Sequence, residues 1–219
     1  MASTFNARRA FRIAAITTVV LLAAAIAMAA TSYTLSFSAP PVANWTDTTS
    51  LWNPSGDFPG DAANDTAGVT GGSGTTTVIV NSTIPNPLGG FSIGCAGCVV
   101  DIQSGGVLDL AGPSTIAAGT TLMVSGGTLN IDSGTTLTFQ SGSNFVQSGG
   151  TVNLNTGAQM TVDGNSITGG TFNLLGGELT IPASITFTHS GSSNFVIDSG
   201  TIDGGGTISS QSLLIKTSA

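Results

Sequence analysis

Four short segments of this chain are near-copies of one another: Gly105-Gly106-Val107-Leu108-Asp109-Leu110, Gly126-Gly127-Thr128-Leu129-Asn130-Ile131, Gly149-Gly150-Thr151-Val152-Asn153-Leu154 and Gly169-Gly170-Thr171-Phe172-Asn173-Leu174. Their second glycines fall 21, 23 and 20 residues apart. A glycine turn followed by a short alternating strand, repeated at a period near twenty, is the signature of coils that cannot bury their apolar face alone and must stack. The same period-2 alternation runs through the rest of the chain. Leu108 and Leu110 share a face, as do Leu122 and Val124, Leu137 and Phe139, Met160 and Val162, Leu179 and Ile181, and Ile185 and Phe187. The residues between them are nearly all polar, such as Asp109, Thr138, Thr161, Thr180 and Thr186. One face enters a core and the other meets water.

Strands of four to six residues are marginal alone, and stacking gives each one a partner in the next coil. The expected fold is therefore all-β: a right-handed parallel β-helix, or β-solenoid, of about 20–23 residues per coil. An antiparallel β-sandwich of short hairpins explains the alternation equally well, but not the recurrence of one phrase at a near-constant period. No helix is expected after residue 30, because glycine turns recur and β-branched residues fill the strands. Each coil shows two well-marked strands and a shorter third, such as Asn144-Phe145-Val146 and its echo Asn194-Phe195-Val196.

Residues 1–29 read as a signal peptide. Arg8, Arg9 and Arg12 precede the uncharged apolar run from Ile13 to Ala30, and Ala27-Met28-Ala29 supplies the small residues of a cleavage site. The run is also long enough to serve as an uncleaved membrane anchor. Localisation is accordingly expected to be secreted or cell-surface. Once this segment is removed, Lys216 is the one strong base left against 11 acidic residues, a formal charge of −10. Such a chain repels nucleic acid and anionic membranes, so neither is expected as a partner.

Residues 30–75 differ in texture. They carry Trp45, Trp52 and the turn-rich run from Asn53 to Asp61, and they read as an N-terminal cap for the coils of 76–219. The alternative is a tryptophan platform that stacks on carbohydrate. Cys95 and Cys98, in Gly94-Cys95-Ala96-Gly97-Cys98, are the two cysteines of the chain and are read as a disulfide across a tight loop in an oxidising compartment. At the other end, Leu213-Leu214-Ile215 brings no polar cap, so the last coil presents an apolar edge. The expectation is that 76–219 is the front part of a longer repeat region, or that an end-to-end contact covers the edge.

An exported chain with Trp45, Trp52 and Pro59-Gly60-Asp61-Ala62 near its start, running into GG-T-φ-N-φ phrases, resembles bacterial secreted right-handed β-helix proteins. These include autotransporter passenger regions and haemagglutinin-like adhesin regions. The resemblance covers residues 45 to 215 and implies a cell-surface or extracellular adhesive role, with surface glycans or host matrix components as partners.

Chemistry is sparse. A polysaccharide lyase needs a base and cations that stabilise an enolate, and the chain after residue 29 has no arginine and one lysine, three residues before its last position. Glycoside hydrolysis needs two carboxylates about 5 to 9 Å apart. Asp198 with Asp203, and Asp101 with Asp109, are the candidate pairs. His189, the single histidine, is read as a surface residue at a strand end. A structural calcium site is conceivable at Asp57, Asp61 and Asp65. The files Thr128/Asn130, Thr151/Asn153 and Thr171/Asn173 are expected to stack as a flat outer ladder. Asn44, Asn64 and Asn81 begin formal glycosylation sequons. The expected function is that of a non-catalytic structural or adhesive repeat protein, with no cofactor and no metal; the alternative is a carbohydrate-active hydrolase that uses paired aspartates.

Overall fold

In the computed structural model the described residues are 30–35, 42–70, 75–190 and 194–216. The expected signal peptide lies outside them. The chain coils as a parallel β-solenoid with three sheets around one core. The first sheet contains, in coil order, Ser32–Leu35, Thr66–Val69, Gly90–Ile93, Ser114–Ile116, Thr136–Phe139, Gln159–Thr161, Glu178–Thr180 and Thr201–Asp203. The second runs Val42–Asn44, Thr77–Val80, Val99–Ile102, Thr121–Val124, Asn144–Gln147, Gly164–Ile167, Thr186–His189 and Thr207–Ser210. The third has Val107–Leu110, Thr128–Ile131, Thr151–Leu154, Thr171–Leu175, Asn194–Asp198 and Leu213–Lys216. Six coils are thus complete three-strand turns, and two earlier coils supply strands to the first two sheets. In the second of these, single bridges from Thr83 to Val107 and from Leu88 to Leu110 mark the edge of the third sheet.

The near-copied phrases form four successive strands of the third sheet and stack residue on residue. Thr128 lies beside Thr151, which lies beside Thr171; Leu129, Val152 and Phe172 follow, then Asn130, Asn153 and Asn173. The paired glycines before them occupy equivalent corners. The echo of Asn144-Phe145-Val146 in Asn194-Phe195-Val196 is not equivalent in space: the first lies in the second sheet and the other in the third. Asn144–Gln147 and its counterparts are full strands, so the expected short third strand is a complete sheet.

Inward positions are closed to solvent. Leu108, Leu129, Val152, Phe172 and Phe195 form one buried file of the third sheet. Aromatic rings fill the centre. Phe172 meets Phe145, Phe187 and Phe195 with ring centroids at 6.2, 5.4 and 5.5 Å, all edge to face, the arrangement favoured by the ring quadrupole.

Residues 30–75 contribute strands to these same sheets: Ser32–Leu35 pairs in parallel with Thr66–Val69, and Val42–Asn44 with Thr77–Val80. Across the outer edge of Ser32–Leu35 runs the short antiparallel strand Trp52–Asn53. Trp45 and Trp52 are each 1% exposed and pack edge to face with centroids 4.9 Å apart. Both indole N–H groups are satisfied, Trp45 donating to the carbonyl of Pro59 and Trp52 to that of Trp45. Buried indoles cannot stack on a sugar, so the tryptophan-platform alternative is overturned; both rings are core.

Cys95 and Cys98 are disulfide-bonded at the corner between the first and second sheets, with Cα atoms 5.4 Å apart. The bridge closes a very short loop, for which loop-closure entropy gives about 2 kcal/mol. Reduction is expected to lower stability by about that amount without unfolding the chain, read as a shift of the urea midpoint with and without reductant. An unchanged midpoint would assign the bridge no structural role.

Candidate functional site

The third sheet turns its polar file outward. Asn173 Nδ2 donates to Asn153 Oδ1 at 2.8 Å, Asn153 to Asn130 at 2.7 Å, and Asn130 to Asp109 Oδ1 at 2.6 Å. Each amide gives to the coil before it, and the chain of bonds ends on a carboxylate, which only accepts. The ladder engages its own polar groups in holding coils together. Asp109, which breaks the Asn pattern of the repeats, is the acceptor that closes it.

A second outward file lies on the first sheet. In the first sheet, Ser92, Thr115, Thr138, Thr161 and Thr180 stand in consecutive coils along one file, which ends at Asp203. Sequence reading did not single out this file, because the residues recur without a shared phrase.

The candidate carboxylate pairs are split between sheets. Asp101 is on the second sheet, 8% exposed, and accepts from Gln103 Nε2 at 2.9 Å and Ser125 Oγ at 2.7 Å. Its proposed mate Asp109 is on the third sheet, occupied by Asn130. Asp198 is on the third sheet beside Lys216, with 3.5 Å between Oδ2 and Nζ. Asp203 ends the threonine file of the first. Each of these acids has its own neighbours within its own sheet.

His189 is not a surface residue. It is 1% exposed, in line with Ile167 and Ser210 on the inward side of the second sheet. Its Nδ1 lies 3.2 Å from Ser210 Oγ, its Nε2 is buried without a hydrogen bond, and its ring packs on Phe195. The alternation Ile185, Phe187, His189 carries it inward. Burial lowers its pKa from the ordinary 6.5, opposed by backbone hydrogen bonds.

Near the start of the solenoid, Asp57, Asp61, Asp65 and Tyr33 gather. Asp65 is fully buried, and its carboxylate accepts from the N–H groups of Thr31, Gly60 and Ala62 at 2.7, 3.1 and 3.2 Å. It ties the first strand to the following loop. Burial, then the neighbouring carboxyls of Asp57 and Asp65, push Asp61 up to about 6. Burial and the same carboxylates, Asp61 first, push Tyr33 up to about 12. Asp65 is engaged by backbone donors, and among the described residues no group of three or more His, Cys, Asp or Glu is arranged to hold a metal ion, so the structure does not support the conceivable calcium site at Asp57, Asp61 and Asp65. Among them, too, no helix is long and apolar enough to cross a membrane.

Asp61 and His189 give opposite pH dependences. The folded chain resists protonating His189, so that contribution is fully present above about pH 6.5 and is lost as pH falls. Asp61 holds a proton in the folded chain below about pH 6 that the unfolded chain releases until its ordinary 3.8, so stability rises as pH falls across that window. Thermal unfolding followed from neutral to mildly acid pH is expected to show His189→Gln gaining stability on acidification relative to the parent, and Asp61→Asn losing it. Superimposable pH profiles for the three proteins would contradict both assignments.

No family model, no curated protein and no solved structure matches this chain. The resemblance to β-helix proteins therefore stands at the level of the fold class: a parallel, repetitive β-solenoid.

Proposed function

We propose that this chain is a non-catalytic, exported structural or adhesive β-solenoid, secreted or held at a cell surface, whose flat faces meet an extended neutral ligand such as a surface glycan or a host matrix component. The observation that carries the reading is the outer face of the first sheet. Ser92, Thr115, Thr138, Thr161 and Thr180 make an uncharged row of side chains on consecutive coils, spaced by about 4.8 Å. A rigid row of hydroxyl and methyl groups suits a repeating polymer better than a single small molecule. The other chemistry-bearing groups support the same view: Asp65, Asp101 and Asp109 accept structural hydrogen bonds, and His189 is packed in the core. The cysteine bridge fits an oxidising compartment, and the acidic charge fits a chain that avoids nucleic acid and anionic lipid.

The test is a screen of the purified protein against polysaccharides and matrix components, scored separately for binding and for depolymerisation. Saturable binding without turnover is expected, weakened by Thr138→Arg or Thr161→Arg, which plant a bulky charge in the row, and unaffected by Asp198→Asn. Turnover lost in Asp198→Asn or Asp203→Asn, with folding intact, would replace this reading by the hydrolase.

A further inference from the structure

We propose that Asn81 is the N-glycan acceptor of this chain, carrying one oligosaccharide at the corner between the second and third sheets. The proposal rests on the export reading above, because the sugar donor is met outside the cytoplasm. Three Asn-X-Thr triplets occur, beginning at Asn44, Asn64 and Asn81. Such a triplet is an acceptor where a transferase can reach it, as on a surface loop. The fold separates the three.

Asn64-Asp65-Thr66 is held down. Asp65 is fully buried and pinned by the N–H groups of Gly60 and Ala62. The Thr66 hydroxyl, the group that makes the triplet recognisable, donates to Ser32 Oγ at 3.0 Å. Asn44-Trp45-Thr46 is anchored by its middle residue. Trp45 is 1% exposed, and its backbone N–H donates to the carbonyl of Ile79 at 2.7 Å. Drawing Asn44 into an enzyme cleft would pull an indole from the core. Asn81-Ser82-Thr83 has neither restraint. All three residues are exposed, where the chain leaves the second-sheet strand Thr77–Val80 and turns toward the third sheet. Among the described residues, neither the Ser82 nor the Thr83 hydroxyl is engaged.

Asn81 Nδ2 donates to Asn44 Oδ1 at 3.3 Å, so the two amides are neighbours on consecutive coils. A sugar rooted on one leaves no room for a second on the other, and the fold presents Asn81. In the transfer, Asn81 Nδ2 forms a bond to the anomeric carbon of a sugar linked to a lipid pyrophosphate. The bond from that carbon to the pyrophosphate oxygen breaks, and the lipid pyrophosphate leaves with the electron pair. One amide hydrogen is lost as a proton to a base of the transferase; the other still serves Asn44 Oδ1. Each coil runs from the first sheet to the second and then the third. The corner at Asn81 therefore lies across the coil from the first sheet, and the glycan is rooted away from Ser92, Thr115, Thr138 and Thr161.

The test has two arms, both read by glycopeptide mass mapping. In the first, the purified folded chain is incubated with a purified oligosaccharyltransferase and a lipid-linked oligosaccharide. One glycan per chain is expected, on Asn81. Asn81→Gln should abolish it, Thr83→Ala should cut occupancy roughly ten-fold or more, and Asn44→Gln and Asn64→Gln should leave it unchanged. In the second arm the chain is expressed with its own N-terminus in a host that carries N-glycosylation, and the same single glycan is expected on secreted protein. Modification in the first arm with an unmodified, retained chain in the second would uphold the acceptor and sink the export reading. A folded chain left unmodified in the first arm, a glycan on Asn44 or Asn64 in place of Asn81, or two glycans on one chain would each overturn the proposal.

Discussion

Replacing Gly127 by alanine is expected to cost ~3 kcal/mol or more of stability, out of proportion to the single methyl group added. A Cβ at this corner would lie 2.5 Å from the carbonyl oxygens of both Gln103 and Gly106 and 2.7 Å from Ile102 Cγ2. Two of these neighbours are backbone atoms of the preceding coil. They move only if the coils separate. Gly134→Ala is the control: its φ of 77° makes any side chain mildly unfavourable, but nothing lies within 4 Å of the added atom, so the cost is about 1 kcal/mol. Urea unfolding of the two variants should separate these values clearly. Equal midpoints would show that the glycine pairs serve backbone conformation alone, not the close approach of stacked turns.

Phe172→Ala is expected to cost about 3 to 5 kcal/mol, the range for removing a fully buried ring. Phe172 has no solvent exposure, and its ring is the one that joins Phe145, Phe187 and Phe195. The cavity would open between the second and third sheets, and rigid stacked coils can collapse into it only in part. Because each coil of a solenoid contacts its neighbours alone, the damage should split the unfolding transition, the C-terminal coils melting before the N-terminal ones. Hydrogen exchange would report this as lost protection in the strands after Thr171, with those before Val107 retained. Uniform loss of protection would mean that the solenoid behaves as a single cooperative unit.

Much of the coil was legible in the residues, for a definite reason. Period-2 alternation and glycine corners are local, so Leu129, Ile131, Val152 and Leu154 announce their inward direction without reference to any other coil. The solenoid's architecture followed from the recurrence of one phrase, and that phrase proved to be four successive strands of one sheet. The first sheet was harder to see. Thr115, Thr138, Thr161 and Thr180 align only through the pairing of separate coils, and their flanking residues differ, so no motif connects them. Trp45 and Trp52 could not be oriented from a spacing of seven, and their burial depends on Pro59, Leu51 and Phe91, which the coil brings together. His189 is the instructive miss. The alternation with Ile185 and Phe187 put it inside, but the habit of placing a lone histidine at a turn outweighed the pattern. Asp109 is the converse: it departs from the repeated Asn, and the direction of hydrogen bonding along the ladder accounts for it.

The functional reading rests on coil stacking, because stacking is what commits Asp65, Asp101, Asp109, the asparagine ladder and His189 to structural partners and lays the threonines in one row. The most direct test is cross-linking of cysteine pairs on the first sheet, mapped by mass spectrometry after mild oxidation. Thr138→Cys with Thr161→Cys joins adjacent coils in register, where neighbouring strands are about 4.8 Å apart, and is expected to form an intramolecular disulfide readily. Thr138→Cys with Thr180→Cys skips a coil, doubles that separation and is expected to stay reduced. The opposite pattern, or cross-linking in neither pair, would contradict the register on which the account depends.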